Sequence, residues 1–200
     1  MVGKGRLAKL LCVGDSIIDG VGASTIETGI VGQLAAVWAE TGRRVTYQSI
    51  GRTGAKSANI IEELLPNLRT GEIEAADLVV VSAGVNDITG LVRTDSWQRN
   101  IIRIIGELKE HSPEAVIVFL GIPPLWRFPL VPEPLRSVIG IRAKIFDTML
   151  RSVIDDHQGV VHIPLQFDAR PGQFSKDGYH PNEKSYTMIA QIVIQTIDIQ

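Results

Sequence analysis

Residues 78–87 read Leu-Val-Val-Val-Ser-Ala-Gly-Val-Asn-Asp and are the most informative part of the sequence for the fold class. Its first half is a near-continuous run of valine, a residue with a high strand propensity. A strand that is apolar on successive residues is buried on both faces, which is typical of a parallel sheet covered by helices on each side. The run ends at Gly84, and Asn86 and Asp87 follow directly. The stretch therefore predicts a parallel strand with polar side chains at its carboxyl end.

Similar apolar runs alternate with longer amphipathic segments along the rest of the chain. The predicted strands cover residues 7–13, 45–50, 78–83, 115–120 and 160–163. The predicted helices cover residues 30–41, 57–68, 96–111, 135–156 and 182–197. This alternation predicts an α/β fold, a three-layer α/β/α sandwich with a five-stranded parallel sheet of the flavodoxin-like kind. Because no repeat, low-complexity tract or linker interrupts the pattern, we expect residues 1–200 to form a single domain.

Composition and charge exclude several classes of protein. Hydrophobic residues make up 44% and charged residues 21% of the 200, which is ordinary for a globular chain and argues against disorder. The formal net charge is −2, so we expect no nucleic-acid partner. No apolar stretch approaches the roughly 20 residues that span a bilayer, so we expect no stable membrane anchor. Without a recognisable signal peptide, we expect a cytoplasmic protein from the sequence as given; a leader that had been removed would leave no trace in it.

Glycines and polar residues follow the predicted strands, where a parallel sheet builds its ligand site. Gly14-Asp15-Ser16 follows the first strand, Gly51-Arg52-Thr53-Gly54 the second and Gly84-Val85-Asn86-Asp87 the third. Asp177 and His180 come just before the last helix. In open parallel sheets ligands bind beyond the carboxyl ends of the strands, so we expect these groups to converge at one edge.

Three of these side chains have the chemistry for acyl transfer. Ser16 offers a hydroxyl nucleophile and His180 a proton acceptor. Asp177 offers a carboxylate that can orient the imidazole, and Gly178 allows a tight turn between the two. The Gly-x-Ser-x-Gly elbow of the α/β-hydrolases is absent around Ser16, and the acid and the histidine share one loop, so that fold is not indicated.

Each of these residues taken alone also has a structural explanation. Ser16 could cap a helix. Asn86 and Asp87 could form an Asx turn, and the glycines after the second strand could be ordinary turn glycines. Asp177 and His180 could cap the last helix. All of these explanations would have to hold together at one end of one sheet, which favours a shared site.

The chain resembles the SGNH hydrolases, also called GDSL esterases and lipases, through four motif blocks in the matching order: Gly14-Asp15-Ser16, Gly51, Gly84-Val85-Asn86-Asp87 and Asp177-x-x-His180. The resemblance implies the SGNH hydrolase fold, with Ser16 as nucleophile, His180 as general base and Asp177 as the acid that orients it. It also implies an oxyanion hole made of the backbone amides of Ser16 and Gly51 and the side-chain amide of Asn86.

The function that the resemblance implies is hydrolysis of small or medium-chain acyl esters through an acyl-enzyme, with a small-molecule ester as partner. We expect no cofactor, and no metal because the other histidines, His111, His157 and His162, lack the spacing of a metal site. Thioesterase, lysophospholipase and carbohydrate O-acetylesterase activities are alternatives among enzymes. A non-catalytic binding module with the same fold is the alternative outside them.

The loop over residues 121–135, after the fourth strand, carries the residues that we expect to contact substrate. Leu125, Trp126 and Phe128, with Leu130 and Val131 nearby, would form an apolar wall for an acyl or alkyl chain if the loop borders the cleft. Packing of the same side chains on the core of the fold is an equal alternative.

Overall fold

The computed structural model describes residues 1–128, 131–165 and 172–197, and a six-stranded sheet lies at its centre. The strands are β1 (Val2–Gly3), β2 (Arg6–Gly14), β3 (Arg43–Gly51), β4 (Leu78–Ser82), β5 (Val116–Leu120) and β6 (Val160–Ile163). Their spatial order is β1-β3-β2-β4-β5-β6, and β2 to β6 are all parallel. The parallel strands have the flavodoxin-like order, so the fold that the sequence predicts is confirmed.

The sheet has one strand more than the five that the sequence predicts. Strand β1 pairs antiparallel with β3, with Val2 opposite Val45 and Gly3 opposite Arg44. It consists of two exposed residues, so no alternation of apolar and polar side chains reveals it in the sequence. The five-stranded prediction is therefore corrected to a six-stranded sheet that is mixed at this edge.

Helices cover both faces of the sheet, as its apolar strands require. They are α1 (Ile30–Glu40), α2 (Ser57–Asn59), α3 (Val85–Thr89), α4 (Thr94–His111), α5 (Leu135–Asp155) and α6 (Glu183–Ile197). Alternate residues of β4 divide between two cores: Leu78 and Val80 pack with α1 and α6, whereas Val79 and Val81 pack with α4 and α5. The three-layer α/β/α arrangement is thus confirmed. Within the described residues, no helix is both long and apolar enough to cross a bilayer.

Two helical segments differ from the sequence prediction. The helix predicted over 57–68 begins as α2 but continues as a π-helical turn at Ile60–Leu64 and a 3₁₀ turn at Leu65–Arg69. Pro66 has no N–H group to donate, so regular α-helical hydrogen bonding cannot continue through it. Helix α3 is not predicted, because five residues are too few to show a helical period.

The sheet order reverses at β2, and this reversal positions the site. Strand β3 lies on one side of β2, and β4 lies on the other. In doubly wound sheets such a reversal leaves a crevice at the carboxyl ends of the strands, where ligands bind. Ser16 follows β2 at this point.

Candidate active site

The loop that carries Ser16 begins with a tight contact between β2 and β4. Gly14 has a φ of 153°, and a Cβ there would lie 2.1 Å from the carbonyl oxygen of Ser82, so only glycine fits. Asp15 then donates its backbone N–H to the same oxygen at 3.2 Å. No helix starts at Ser16, because the next one begins at Ile30, so the helix-cap explanation of Ser16 is wrong.

Asp15 is buried beneath this loop. Its Oδ1 accepts hydrogen bonds from the hydroxyl of Ser82 at 2.8 Å and from the backbone N–H of Ile17 at 3.1 Å. Burial raises the pKa of Asp15 to about 6, although these two hydrogen bonds oppose the shift. The contacts of Asp15 tie β2, β4 and the serine loop together.

The loop before α6 holds a carboxylate and an imidazole side by side. Asp177 Oδ1 accepts a hydrogen bond from the hydroxyl of Ser175 at 2.7 Å. It also accepts from the backbone N–H groups of Tyr179 and His180, at 2.9 and 3.0 Å. Gly178 makes the turn with a φ of 64°, as the sequence predicts. The backbone N–H of Ser175 donates to the His180 carbonyl at 2.8 Å and closes the loop.

Asn182, and not Asp177 or His180, caps the last helix. Asn182 Oδ1 accepts the backbone N–H of Ser185 at 3.0 Å, in the first turn of α6. Its side-chain amide donates to the carbonyl of Gly172 at 2.6 Å. The helix-cap explanation of Asp177 and His180 is therefore wrong, and both side chains are used for other contacts.

Ser16, His180 and Asp177 form one hydrogen-bonded line. His180 Nε2 lies 3.1 Å from Ser16 Oγ, and His180 Nδ1 lies 2.6 Å from Asp177 Oδ2. A carboxylate beside Nδ1 keeps the imidazole proton there, which leaves Nε2 to accept the proton of the serine. Burial acts to raise the pKa of Asp177, but the hydrogen bonds from Ser175 and His180 outweigh it and hold the pKa below its usual range. Asp177 is therefore ionised at neutral pH.

Gly51 lies at the end of β3, directly beside the serine loop. It pairs with Gly14 in the parallel register of β2 and β3, and Arg52 donates its backbone N–H to the Gly14 carbonyl at 3.0 Å. A Cβ on Gly51 would lie 2.7 Å from the backbone nitrogen of Asp19. The serine loop thus packs on Gly51 at a distance that no other residue allows.

Asn86 and Asp87, after β4, have separate partners. The side-chain amide of Asn86 donates to the carbonyl of Ala55 at 3.0 Å, which fixes the amide and leaves its second N–H for another acceptor. Asp87 is fully buried and accepts both the backbone N–H of Ser57, at 2.9 Å, and its hydroxyl, at 2.6 Å. Burial raises the pKa of Asp87, and the bonds from Ser57 oppose the shift. Asp87 therefore anchors the start of α2 instead of forming an Asx turn.

An apolar pocket opens beside Ser16 and His180. Phe128 stands edge-on to two other rings in its wall, Phe174 at 5.1 Å and Tyr179 at 5.4 Å between ring centroids. Most of the other described lining residues are aliphatic or proline: Ile17, Ala83, Val85, Leu120, Ile122, Pro123, Leu165 and Pro181. Such a pocket suits an acyl chain or another small apolar group.

The structure separates the three residues that the sequence places on this wall. Phe128 lines the pocket, as predicted. Leu125 is fully buried in the core, and Trp126 lines a neighbouring polar cleft together with Arg151. The 3₁₀ turn at Leu125–Arg127 directs successive side chains to different sides, which is why these three do not form one surface. Leu130 lies outside the described residues.

A group of polar side chains that sequence analysis did not identify supports the pocket wall. Asp147 on α5 accepts the backbone N–H of Ile122 at 3.0 Å, and the same oxygen lies 2.8 Å from His162 Nε2. Its other oxygen pairs with Arg151 at 2.9 Å. Burial acts to raise the pKa of Asp147, but the contacts with His162, Ile122 and Arg151 outweigh it and lower the pKa. Because Ile122 lines the pocket, Asp147 fixes part of its wall.

A hydroxyl, an imidazole and a carboxylate lie in one line beside an apolar pocket. Hydrolases with a nucleophilic serine use this arrangement, and here it lies on a doubly wound α/β sheet. The model of the GDSL-like lipase/acylhydrolase family matches residues 12–188, so the chain belongs to this family. The resemblance noted in the sequence is confirmed, and the protein is an ester-hydrolysing enzyme of the serine esterase and lipase kind.

Individual relatives are distant in sequence but alike in fold. "Uncharacterized protein YpmR" of Bacillus subtilis (strain 168) is 24% identical over 210 residues, which cover 94% of this chain and 80% of that protein. The structure named "Clostridium thermocellum family 3 carbohydrate esterase" matches with a TM-score of 0.74 and 19% identity, over 97% of both chains. The structure of TesA matches with a TM-score of 0.73 and 24% identity, over 96% of this chain and 98% of that one. At these identities the solved structures show a shared fold.

Proposed function

We propose that this protein hydrolyses carboxylic esters through an acyl-enzyme formed on Ser16. His180 Nε2 takes the hydroxyl proton as Ser16 attacks the ester carbonyl, and Asp177 stabilises the imidazolium that results. The backbone amides of Ser16 and Gly51 and the side-chain amide of Asn86 donate to the oxyanion of the tetrahedral intermediate. The observation that carries this proposal is the pair of contacts at His180, 3.1 Å to Ser16 Oγ and 2.6 Å to Asp177 Oδ2.

The same imidazole completes the cycle. Protonated His180 gives its proton to the alkoxide as the carbon–oxygen bond of the ester breaks, and the alcohol leaves. His180 then accepts a proton from water as the water oxygen attacks the acyl-enzyme carbonyl. It returns this proton to Ser16 Oγ as the bond between Oγ and the acyl carbon breaks, which releases the acid and restores the serine hydroxyl. Every proton passes through one nitrogen, so the cycle requires no cofactor.

The pocket supports a small or medium acyl chain as the part of the substrate held next to Ser16. Its largely apolar lining offers few partners to a charged or strongly polar group. The rings of Phe128, Phe174 and Tyr179 close one side of the pocket.

Covalent labelling by a fluorophosphonate tests the nucleophile. The wild-type chain should be labelled at one serine, and Ser16→Ala should lose both the label and roughly 10⁶-fold in turnover. Ser152→Ala, at an exposed serine on α5, is the matched control and should be labelled and active like wild type. Labelling of Ser16→Ala at the wild-type rate would assign the nucleophile to another residue.

A carbohydrate O-acetylesterase is the second candidate, because a structural neighbour over 97% of both chains is named a carbohydrate esterase. Values of kcat/KM on p-nitrophenyl esters from acetyl to palmitoyl, beside an acetylated sugar and a thioester, separate the candidates. We expect the highest value on a short or medium acyl ester. An acetylated sugar that exceeds p-nitrophenyl acetate would favour the second candidate, and a preference for the thioester would indicate a thioesterase.

A further inference from the structure

Helix α5 exposes a row of large aliphatic side chains. They recur every three or four residues and so lie along one side of the helix, away from the buried side that carries Ala143, Phe146 and Leu150. The outward side of a surface helix is normally polar. We call the row the α5 stripe; its members are Val138 (50% exposed), Ile141 (61%) and Ile145 (47%). Leu135, 54% exposed in the first turn, lies on the side of Ile139 and Phe146 and adds apolar surface at the start of the helix.

The α5 stripe is confined to the half of the helix nearest the pocket. Helix α5 begins after the loop whose residues Ile122 and Phe128 line the pocket. Further along the helix the exposed positions become polar, at Thr148, Ser152 and Asp155. The apolar surface therefore lies at the end of the molecule that carries the pocket.

Two more exposed apolar side chains flank the stripe. Trp126 is 39% exposed and packs against Gly140 of α5. Leu91 is 69% exposed, in a loop that Arg142 of α5 holds by donating to the carbonyl of Val92 at 2.7 Å. Large apolar side chains exposed together in one region of the surface mark a site of contact with a protein or a membrane.

The charge around the stripe indicates which of these it contacts. Helix α5 contains four basic and two acidic side chains, a formal net charge of +2, whereas the whole chain carries −2. Asp147 of α5 pairs with Arg151, and Glu133, just before the helix, pairs with Arg136. Lys144 holds its ammonium 4.6 Å from the centre of the Trp126 ring and makes no ion pair with an acid in the described part of the chain. An apolar row bordered by positive charge complements an anionic lipid surface.

We propose that the α5 stripe docks this enzyme on an anionic lipid bilayer, with its aliphatic side chains in the interface and Lys144 among the headgroups. A second copy of the chain is a poorer occupant, because a two-fold contact would bring the same basic side chains face to face. Delivery of an ester to Ser16 by this docking rests on the proposed function. Binding to the bilayer is independent of that function.

Vesicle co-sedimentation tests the docking. The full chain should bind vesicles of phosphatidylcholine mixed with phosphatidylglycerol, and it should bind vesicles of phosphatidylcholine alone much more weakly. High salt should weaken the binding, and Lys144→Gln should weaken it about fivefold. Ile141→Ser should weaken the binding about tenfold, and the double variant Ile141→Ser/Ile145→Ser about a hundredfold. Each isoleucine would bury roughly half of its apolar surface in the bilayer, and serine would lose that contribution.

Ile192→Ser is the matched control, an isoleucine 40% exposed on α6 at the opposite face of the sheet, and it should bind like wild type. All variants should hydrolyse a soluble ester at the wild-type rate, which separates loss of docking from loss of catalysis. Absence of binding to the anionic vesicles would overturn the proposal, and so would equal binding by Ile141→Ser and wild type. If the wild-type chain is a dimer that Ile141→Ser dissociates, and if it does not bind vesicles, the stripe is instead a contact with a second copy of the chain.

Discussion

Asn86 is fixed by one hydrogen bond and has a second N–H to donate at the carboxyl end of β4. Asn86→Ala should lower kcat on a soluble ester about 10²- to 10³-fold, because the lost donor would act mainly in the transition state. The free energy of unfolding should fall by about 1 kcal/mol with the loss of the bond to Ala55. Steady-state kinetics and urea unfolding measure the two effects, and a variant with wild-type kcat would remove Asn86 from the proposed oxyanion hole.

Asp15 should make stability depend on pH in the sense opposite to that of most carboxylates. Burial raises its pKa from the usual 3.8 to about 6, so between these values the folded chain keeps a proton that the unfolded chain has released. The free energy of unfolding therefore falls as pH rises through this range, by at most about 3 kcal/mol, and stays lower above it.

Asp15→Asn removes the titration but keeps an oxygen that can accept from Ser82 and Ile17. The stability of this variant relative to wild type should therefore increase as the pH rises from about 4 to about 7. Urea unfolding at a series of pH values measures the difference, and a difference that stays constant with pH would contradict the raised pKa.

At the scale of elements, the end of β3 and the serine loop are in contact at Gly51. A Cβ there would lie 2.7 Å from Asp19 N and 2.9 Å from the carbonyl carbon of Ile18, both backbone atoms. Gly51→Ala should cost about 1–3 kcal/mol of unfolding free energy. It should also lower kcat about a hundredfold, because the loop that carries Ser16 must shift.

Gly54→Ala is the control for that substitution. Gly54 has a φ of 78°, and nothing lies within 4 Å of the position that a Cβ would occupy, so alanine there meets strain of roughly 1–2 kcal/mol but no clash. Its kcat should match wild type. Equal kcat values for the two alanine variants would show that the Gly51 contact does not position Ser16.

The sequence predicts most elements of this fold because the central strands are apolar on successive residues, a pattern with few alternatives. It does not predict contacts that depend on how elements pack. Asp87 meets Ser57 only because α2 lies over the end of β4, and Asp147 meets Ile122 only because α5 returns along the sheet. The direction of a loop side chain is even harder to predict from sequence, because one 3₁₀ turn is enough to place Leu125 in the core.

The grouping of the site residues is easier to predict from sequence than these contacts. Parallel strands bring their carboxyl ends to one edge, so the residues that follow them can be grouped without knowing any distance. The sequence therefore brings Ser16, Asp177 and His180 together, but it cannot supply the 3.1 Å and 2.6 Å contacts of the imidazole. Nor does it show that Asn182 takes the helix cap.

At the scale of the whole molecule, one sheet joins two cores, each with a buried tryptophan. Trp38 lies in the core under α1 and α6, and Trp97 lies in the core under α4 and α5. Because every parallel strand contributes side chains to both cores, we expect one cooperative unfolding transition and a single domain over residues 1–200.

Two variants test this expectation by leaving one buried reporter each, Trp38→Phe and Trp97→Phe. In each variant the urea midpoints from fluorescence and from far-ultraviolet circular dichroism should coincide. Fluorescence midpoints that depart from the circular dichroism midpoint in opposite directions would show that the two faces unfold separately.

The line of hydrogen bonds at the site joins residues 164 positions apart in the chain. During translation Ser16 leaves the ribosome early, before His180 has been added to the chain. The two meet only after the intervening strands have assembled and α6 has settled on α1. A growing polypeptide therefore carries an inert serine, and its reactivity arises late, with the arrival of the last helix.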